Sequence, residues 1–205
     1  MAEAKDIDDS LEFLRYFDKN TANPDLGTLI QEKLSLDRKS LNLLSSQLTE
    51  EDFKTLAGFG PLKVLTSLNL DQTGINSGGL QPLSASDCFS QLENLSLANN
   101  NLEDEALFFF SKCKALTCLR ILNLSSNEIG SLGAKVLSLA VGIGNLEQLN
   151  FSYNRLEPLG IKSFADSKLA RQLTHINLRD TGVGDDGLRF LAQTTPLEKI
   201  VCLDL

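Results

Sequence analysis

Leucine or isoleucine recurs at Leu41, Leu68, Leu95, Leu122, Leu149, Ile176 and Leu203, a constant step of 27 residues. Around each position apolar and polar residues alternate, as in Leu122-Asn123-Leu124-Ser125, the period of a short strand with one face buried. Downstream the spacing changes. Ile129, Ala134 and Leu137 fall on a helical stripe, and Gly133 near the helix start permits a close approach to the sheet. Gly79, Gly160 and Gly187 fill the same slot in other units, with Asp52 and Ala106 in two more. Strand, turn, helix and return therefore repeat as one unit.

A fixed period of this size means stacked units rather than a closed globule. Parallel strands stack ~4.8 Å apart, whereas packed helices need roughly 10 Å. The mismatch bends the stack and predicts an α/β right-handed solenoid, with a parallel sheet on the concave face and helices on the convex face. Counting from three residues before the recurring leucine, concave side chains come from repeat positions two, three, five, seven, eight and ten.

The stretch Leu119-Arg120-Ile121-Leu122-Asn123-Leu124-Ser125-Ser126-Asn127-Glu128-Ile129 reads LxxLxLxxNxI, and residues 92–102 and 146–156 read the same way with Phe151 for one leucine. These residues resemble the leucine-rich repeat family. The continuation Gly130 to Leu137 is similar to its ribonuclease-inhibitor-like branch, which carries a helix in every repeat. The resemblance covers residues 38–205 as six full repeats and a partial seventh, and it implies a horseshoe that binds proteins. Asn100, Asn127 and Asn154 share the turn slot after the strand, where an amide satisfies the backbone of stacked turns; Ser46, Thr73 and Thr181 do so in part. Position five holds a second polar row, Asn42, Asn69, Ser96, Asn123, Asn150, Asn177 and Asp204, expected to hydrogen-bond between neighbouring strands.

Both ends of a solenoid core need covering. Residues 1–37 form an acidic, mainly helical N-terminal cap. Asn23-Pro24-Asp25 reads as a helix start and Leu26, Leu29, Ile30 and Leu34 as its apolar stripe. Residues 9–17 fit either another cap helix or a decayed repeat. At the other end Ile200, Leu203 and Leu205 open a seventh repeat, and an uncovered apolar strand edge invites association. Either the chain continues beyond Leu205, or this edge supports self-association or pairing with another chain.

Composition narrows the function. Hydrophobic residues make up 42 % and charged residues 22 %, enough for a packed core. The net charge of −8 disfavours nucleic acid or an anionic membrane as partner. Residues 1–35 alone hold eight acids against four bases. No apolar run reaches the ~20 residues of a membrane span, and the acidic start does not read as a signal peptide. Four cysteines without a CxxC pair and a single histidine argue against zinc and for reduced thiols in a cytoplasmic setting, the host cytosol if the chain is a secreted effector. No metal or cofactor is expected.

Catalysis is not expected either. His175 stands on the open sheet with Cys202 one repeat ahead, but thiol chemistry needs an orienting group and a water-excluding cleft. Gly58-Phe59-Gly60 and Gly142-Ile143-Gly144 lack the Lys-Ser/Thr of a phosphate loop, and Asp185-Asp186 suits a helix start. The reading is a non-catalytic protein–protein interaction module. Its candidate partner-binding residues are Arg120, Glu128, Tyr153, Arg155, His175, Arg179 and Asp180, because interface energy concentrates in Tyr, Trp and Arg. The plain alternative is that these charges are only solvated, with Arg179–Asp180 and Arg155–Glu157 as weak local pairs. The rival functions are an enzyme regulator such as a small-GTPase activator, and the targeting arm of a larger protein such as a bacterial effector.

Overall fold

The computed structural model describes residues 25–113, 115–193 and 199–205. The elements run α1 (Asp25–Lys33), β1 (Ser40–Asn42), α2 (Glu50–Gly58), β2 (Ser67–Asn69), α3 (Ser77–Ala85), β3 (Asn94–Ser96) and α4 (Asp104–Lys112). They continue with β4 (Ile121–Asn123), α5 (Ser131–Ser138), β5 (Gln148–Asn150), α6 (Glu157–Ala165), β6 (His175–Asn177), α7 (Gly184–Gln193) and β7 (Cys202–Asp204). All seven strands form one parallel sheet in chain order. Leu41, Leu68, Leu95, Leu122, Leu149, Ile176 and Leu203 lie opposite one another in a single file. The 27-residue step is therefore the sheet register.

The core lies between sheet and helices. Leu122, Leu124, Ile129, Ala134 and Leu137 are fully buried, as the strand and helix patterns predict. Phe110 is likewise core, Phe109 packs against it half-buried, and Phe108 is exposed. In α1, Leu26 and Ile30 are buried against the first unit, and an antiparallel bridge joins Leu34 to Leu41. The expected helix starter Asn23-Pro24 and the ambiguous stretch 9–17 lie outside the described residues.

The glycine slot works differently from the expectation. A Cβ on Gly160 would stand 2.9 Å from Ser131 Cα, and one on Gly133 would stand 2.6 Å from Asp104 Oδ1 and 3.3 Å from Asp104 Cα. The close approach is to the start of the preceding helix, not to the sheet. It draws neighbouring helices together at one lateral edge, the edge where the turns leave the sheet.

Those turns are held by amides. Asn100 Oδ1 accepts from the N–H groups of Thr73 and Gly74, both at 3.0 Å, and its Nδ2 donates to Leu70 O (2.8 Å) and Ala98 O (3.1 Å). Asn127 and Asn154 repeat this one and two units on. Thr73 and Thr181 each return a single hydroxyl bond to Leu70 O and Leu178 O. No helix among the described residues is long and apolar enough to cross a membrane.

Candidate functional site

The inner sheet face is built from repeat positions three, five, seven and eight. Position three contributes Ser40, Ser67, Asn94, Ile121, Gln148, His175 and Cys202, and position five contributes Asn42, Asn69, Ser96, Asn123, Asn150, Asn177 and Asp204. From β1 to β6 these two rows contain no carboxylate, lysine or arginine.

Position five supports the backbone more than it bridges strands. Its Oδ1 accepts from the N–H two residues on: Leu44 (3.1 Å), Asp71 (2.8 Å), Ser125 (3.1 Å), Ser152 (2.9 Å) and Arg179 (3.0 Å). The third repeat has Ser96 instead, and Asp71 from the neighbouring strand accepts from Ser96 Oγ (2.6 Å) and Ala98 N–H (2.7 Å). Among the described residues, side-chain bonds from position five to a neighbouring strand, the sequence-based expectation, are this pair and Asn123 Nδ2 donating to Ser96 Oγ at 3.0 Å. Because a backbone N–H bonds the carboxamide oxygen and not its NH2, these contacts fix the oxygen end of each carboxamide, and the NH2 of Asn123 is spent on Ser96.

The seven candidate residues separate into three places. Arg120 sits at position two, at the strand entry, where it forms a two-point contact to Glu147 (Nε–Oε1 3.1 Å, NH2–Oε2 2.9 Å). That hydrogen bond and the carboxylate charge raise the Arg120 guanidinium above its ordinary value. His175 stands on the floor with its Nδ1 2.9 Å from Thr174 Oγ1, and Cys202 lies opposite it in register. Tyr153, Arg179 and Asp180 gather at the strand exit. The Arg179 guanidinium carbon is 5.8 Å from the Tyr153 ring centroid, a cation–π distance, and its Nε is 3.4 Å from Asp180 Oδ2.

Glu128 and Arg155 are elsewhere. Position ten pairs backbone-to-backbone with the turn behind it, through bridges Glu103–Glu128 and Gly130–Arg155. Both side chains line a lateral hollow of ≈ 420 Å³ together with Glu103, Asp104, Glu105 and Glu157 at the helix starts. Position ten thus leaves the concave row assigned to it, because the chain has already turned toward the helix. Asp185 and Asp186 open α7 on the same kind of terminus.

Ile121, Gln148, Asn150 and Asn177 were not among the candidates. Together with Asn123 and His175 they line a shallow hollow of ≈ 290 Å³ on the floor. Ile121 is 37 % exposed in a row otherwise polar through β6. Reading position three down the repeats, as position five was read, reveals that break.

The family described as "Leucine Rich repeat" matches residues 115–138, 145–165 and 171–192. An internalin from Listeria monocytogenes is similar in structure, at 22 % identity and TM-score 0.55, over 91 % of this chain and 51 % of that one. The chain thus spans about half the length of that internalin. The actin-binding site 2 of leiomodin-1 aligns at 17 % identity and TM-score 0.51, covering 87 % of this chain and 89 % of that one. The tropomodulin C-terminal domain of Caenorhabditis elegans aligns at 13 % and 0.50, covering 85 % and 89 %. At these identities the likeness is one of fold. No curated protein matches the chain.

Proposed function

We propose that this chain, which has an α/β solenoid fold and matches leucine-rich repeats in three segments, is a non-catalytic module holding a protein partner against its inner sheet face and strand-exit loops. One observation supports this most. An uncharged polar floor runs beside an exposed aromatic–guanidinium pair, Tyr153 with Arg179, the residue types that anchor interfaces. An open sheet of this kind suits area and shape complementarity rather than an enclosed reaction.

The double variant Tyr153→Ala/Arg179→Ala is expected to weaken partner binding by about 10- to 100-fold, with the far-ultraviolet circular dichroism spectrum unchanged. Affinity capture with the double variant as control identifies the partner, and titration calorimetry then gives the two affinities. Equal affinities would remove this patch from the interface. Purified actin is one defined ligand to include, because the leiomodin-1 domain of like fold is an actin-binding site.

A further inference from the structure

Position eight is left-handed in six successive repeats: Ser45, Gln72, Asn99, Ser126, Tyr153 and Asp180 have φ between +52° and +59°. The sheet imposes this. The N–H at position eight donates to the position-seven carbonyl of the next repeat, from Ser45 to Asp71 (2.9 Å) through Ser126 to Ser152 (2.8 Å) and Tyr153 to Arg179 (2.9 Å). Asparagine, aspartate and small residues tolerate this backbone, and a bulky aromatic does not. Tyr153 is also no core residue, being 48 % exposed. Asn99, in the same slot two repeats earlier, shows the residue the backbone prefers. A strained aromatic that does not serve the core is a mark of a contact residue.

What Tyr153 stands beside defines the occupant. Across β3, β4 and β5, positions three, five, seven and eight are Asn94, Ser96, Ala98, Asn99, Ile121, Asn123, Ser125, Ser126, Gln148, Asn150, Ser152 and Tyr153. None of these is charged, in a chain of net charge −8. On one side Asp71 is committed to Ser96 and Ala98, and on the other Arg179 faces Asp180. The carboxylates Glu103, Asp104, Glu105, Glu128 and Glu157 gather on the lateral hollow instead. Exposed charges beyond about 8 Å are largely screened at physiological salt. Within the neutral field the carboxamide oxygen of Asn150 is engaged by Ser152 N–H, while its NH2 has no acceptor among the described residues.

We propose that this field seats an uncharged, extended segment of the protein partner. A main-chain carbonyl of the segment accepts from the Asn150 NH2, one apolar side chain covers Ile121, and the segment lies against the Tyr153 ring. This rests on the interaction-module reading above and adds the chemistry of the ligand: the net charge of the chain does not choose its partner.

The test is selection from a displayed library of random peptides about a dozen residues long on the full chain, followed by fluorescence polarisation of the enriched peptides. The expected peptides are uncharged at their centre, and their Kd changes less than about twofold between roughly 50 and 500 mM NaCl. Tyr153→Asn should weaken them by about tenfold or more while raising Tm by about 2–4 °C through relief of the backbone. Ile121→Lys should also weaken them, and Glu103→Gln/Glu128→Gln should not. Failure to enrich any peptide overturns the proposal. So does enrichment of basic peptides whose binding collapses with salt and follows Glu103 and Glu128. If a partner protein still loses affinity with Tyr153→Ala/Arg179→Ala while the peptides prove salt-sensitive, the interaction face stands and its neutral chemistry falls.

Discussion

Replacing Asn127 by leucine is expected to destabilise the chain by about 3–5 kcal/mol, more than any surface change. The side chain is buried and nearly isosteric with leucine, so volume is not the cause. Its Oδ1 accepts from Asn100 N–H (3.1 Å) and Leu102 N–H (2.9 Å), and its Nδ2 donates to Leu97 O (3.0 Å), Leu124 O (2.9 Å) and Ser125 O (3.2 Å). Leucine leaves Asn100 N–H, Leu102 N–H and Leu97 O without this partner, at ~1–3 kcal/mol for each group orphaned, while Leu124 O keeps Asn154 Nδ2 (2.9 Å) and Ser125 O keeps Asn99 N–H (3.0 Å). Extra apolar burial offsets only part of that. Urea unfolding followed by circular dichroism measures the loss. Asn127→Thr is the informative companion, since Thr73 and Thr181 show that a hydroxyl in this slot restores one bond. A loss under about 1 kcal/mol for leucine would show that the turns hold without the amide.

Phe151→Ala should cost about 3–5 kcal/mol for a different reason, the cavity left by a fully buried ring. Phe151 occupies the slot that is leucine in the other full repeats (Leu43, Leu70, Leu97, Leu124, Leu178), and its larger ring meets Phe164 edge-on at 5.9 Å and 87°. Phe151→Leu should lose less, because the slot accepts leucine elsewhere. A double-mutant cycle with Phe164→Ala should return a coupling of about 0.5–1.5 kcal/mol. Strict additivity of the two truncations would mean that the edge contact contributes nothing beyond burial.

The fold was legible because one number, the repeat period, fixes both strand register and helix placement. Leucines at a constant step align Leu68, Leu95 and Leu122 whatever the turns do, and the structure puts them in file. The candidate site was less legible. Position ten was assigned to the inner face by counting from the strand, but the left-handed residue at position eight swings the chain outward, carrying Glu128 and Arg155 to the lateral edge. That left-handed turn has no constant signature, since its slot holds serine, glutamine, asparagine, tyrosine and aspartate. Arg120 looked like a free anchor because its partner Glu147 lies a full repeat away, where linear reading sees no pairing. Ile121 carries no polar signal of its own, although alternation around the buried Leu122 places it outside.

The amide spine of Asn100, Asn127 and Asn154 has one further consequence. It runs through three central turns and gives way to single hydroxyl bonds at Thr73 and Thr181 on either flank. Fraying in a linear array begins at its extremities and advances unit by unit. The middle strands are therefore the stiffest stretch, a plank with softer ends, and a ligand resting there meets a surface already in its final form, so little entropy is lost in ordering it.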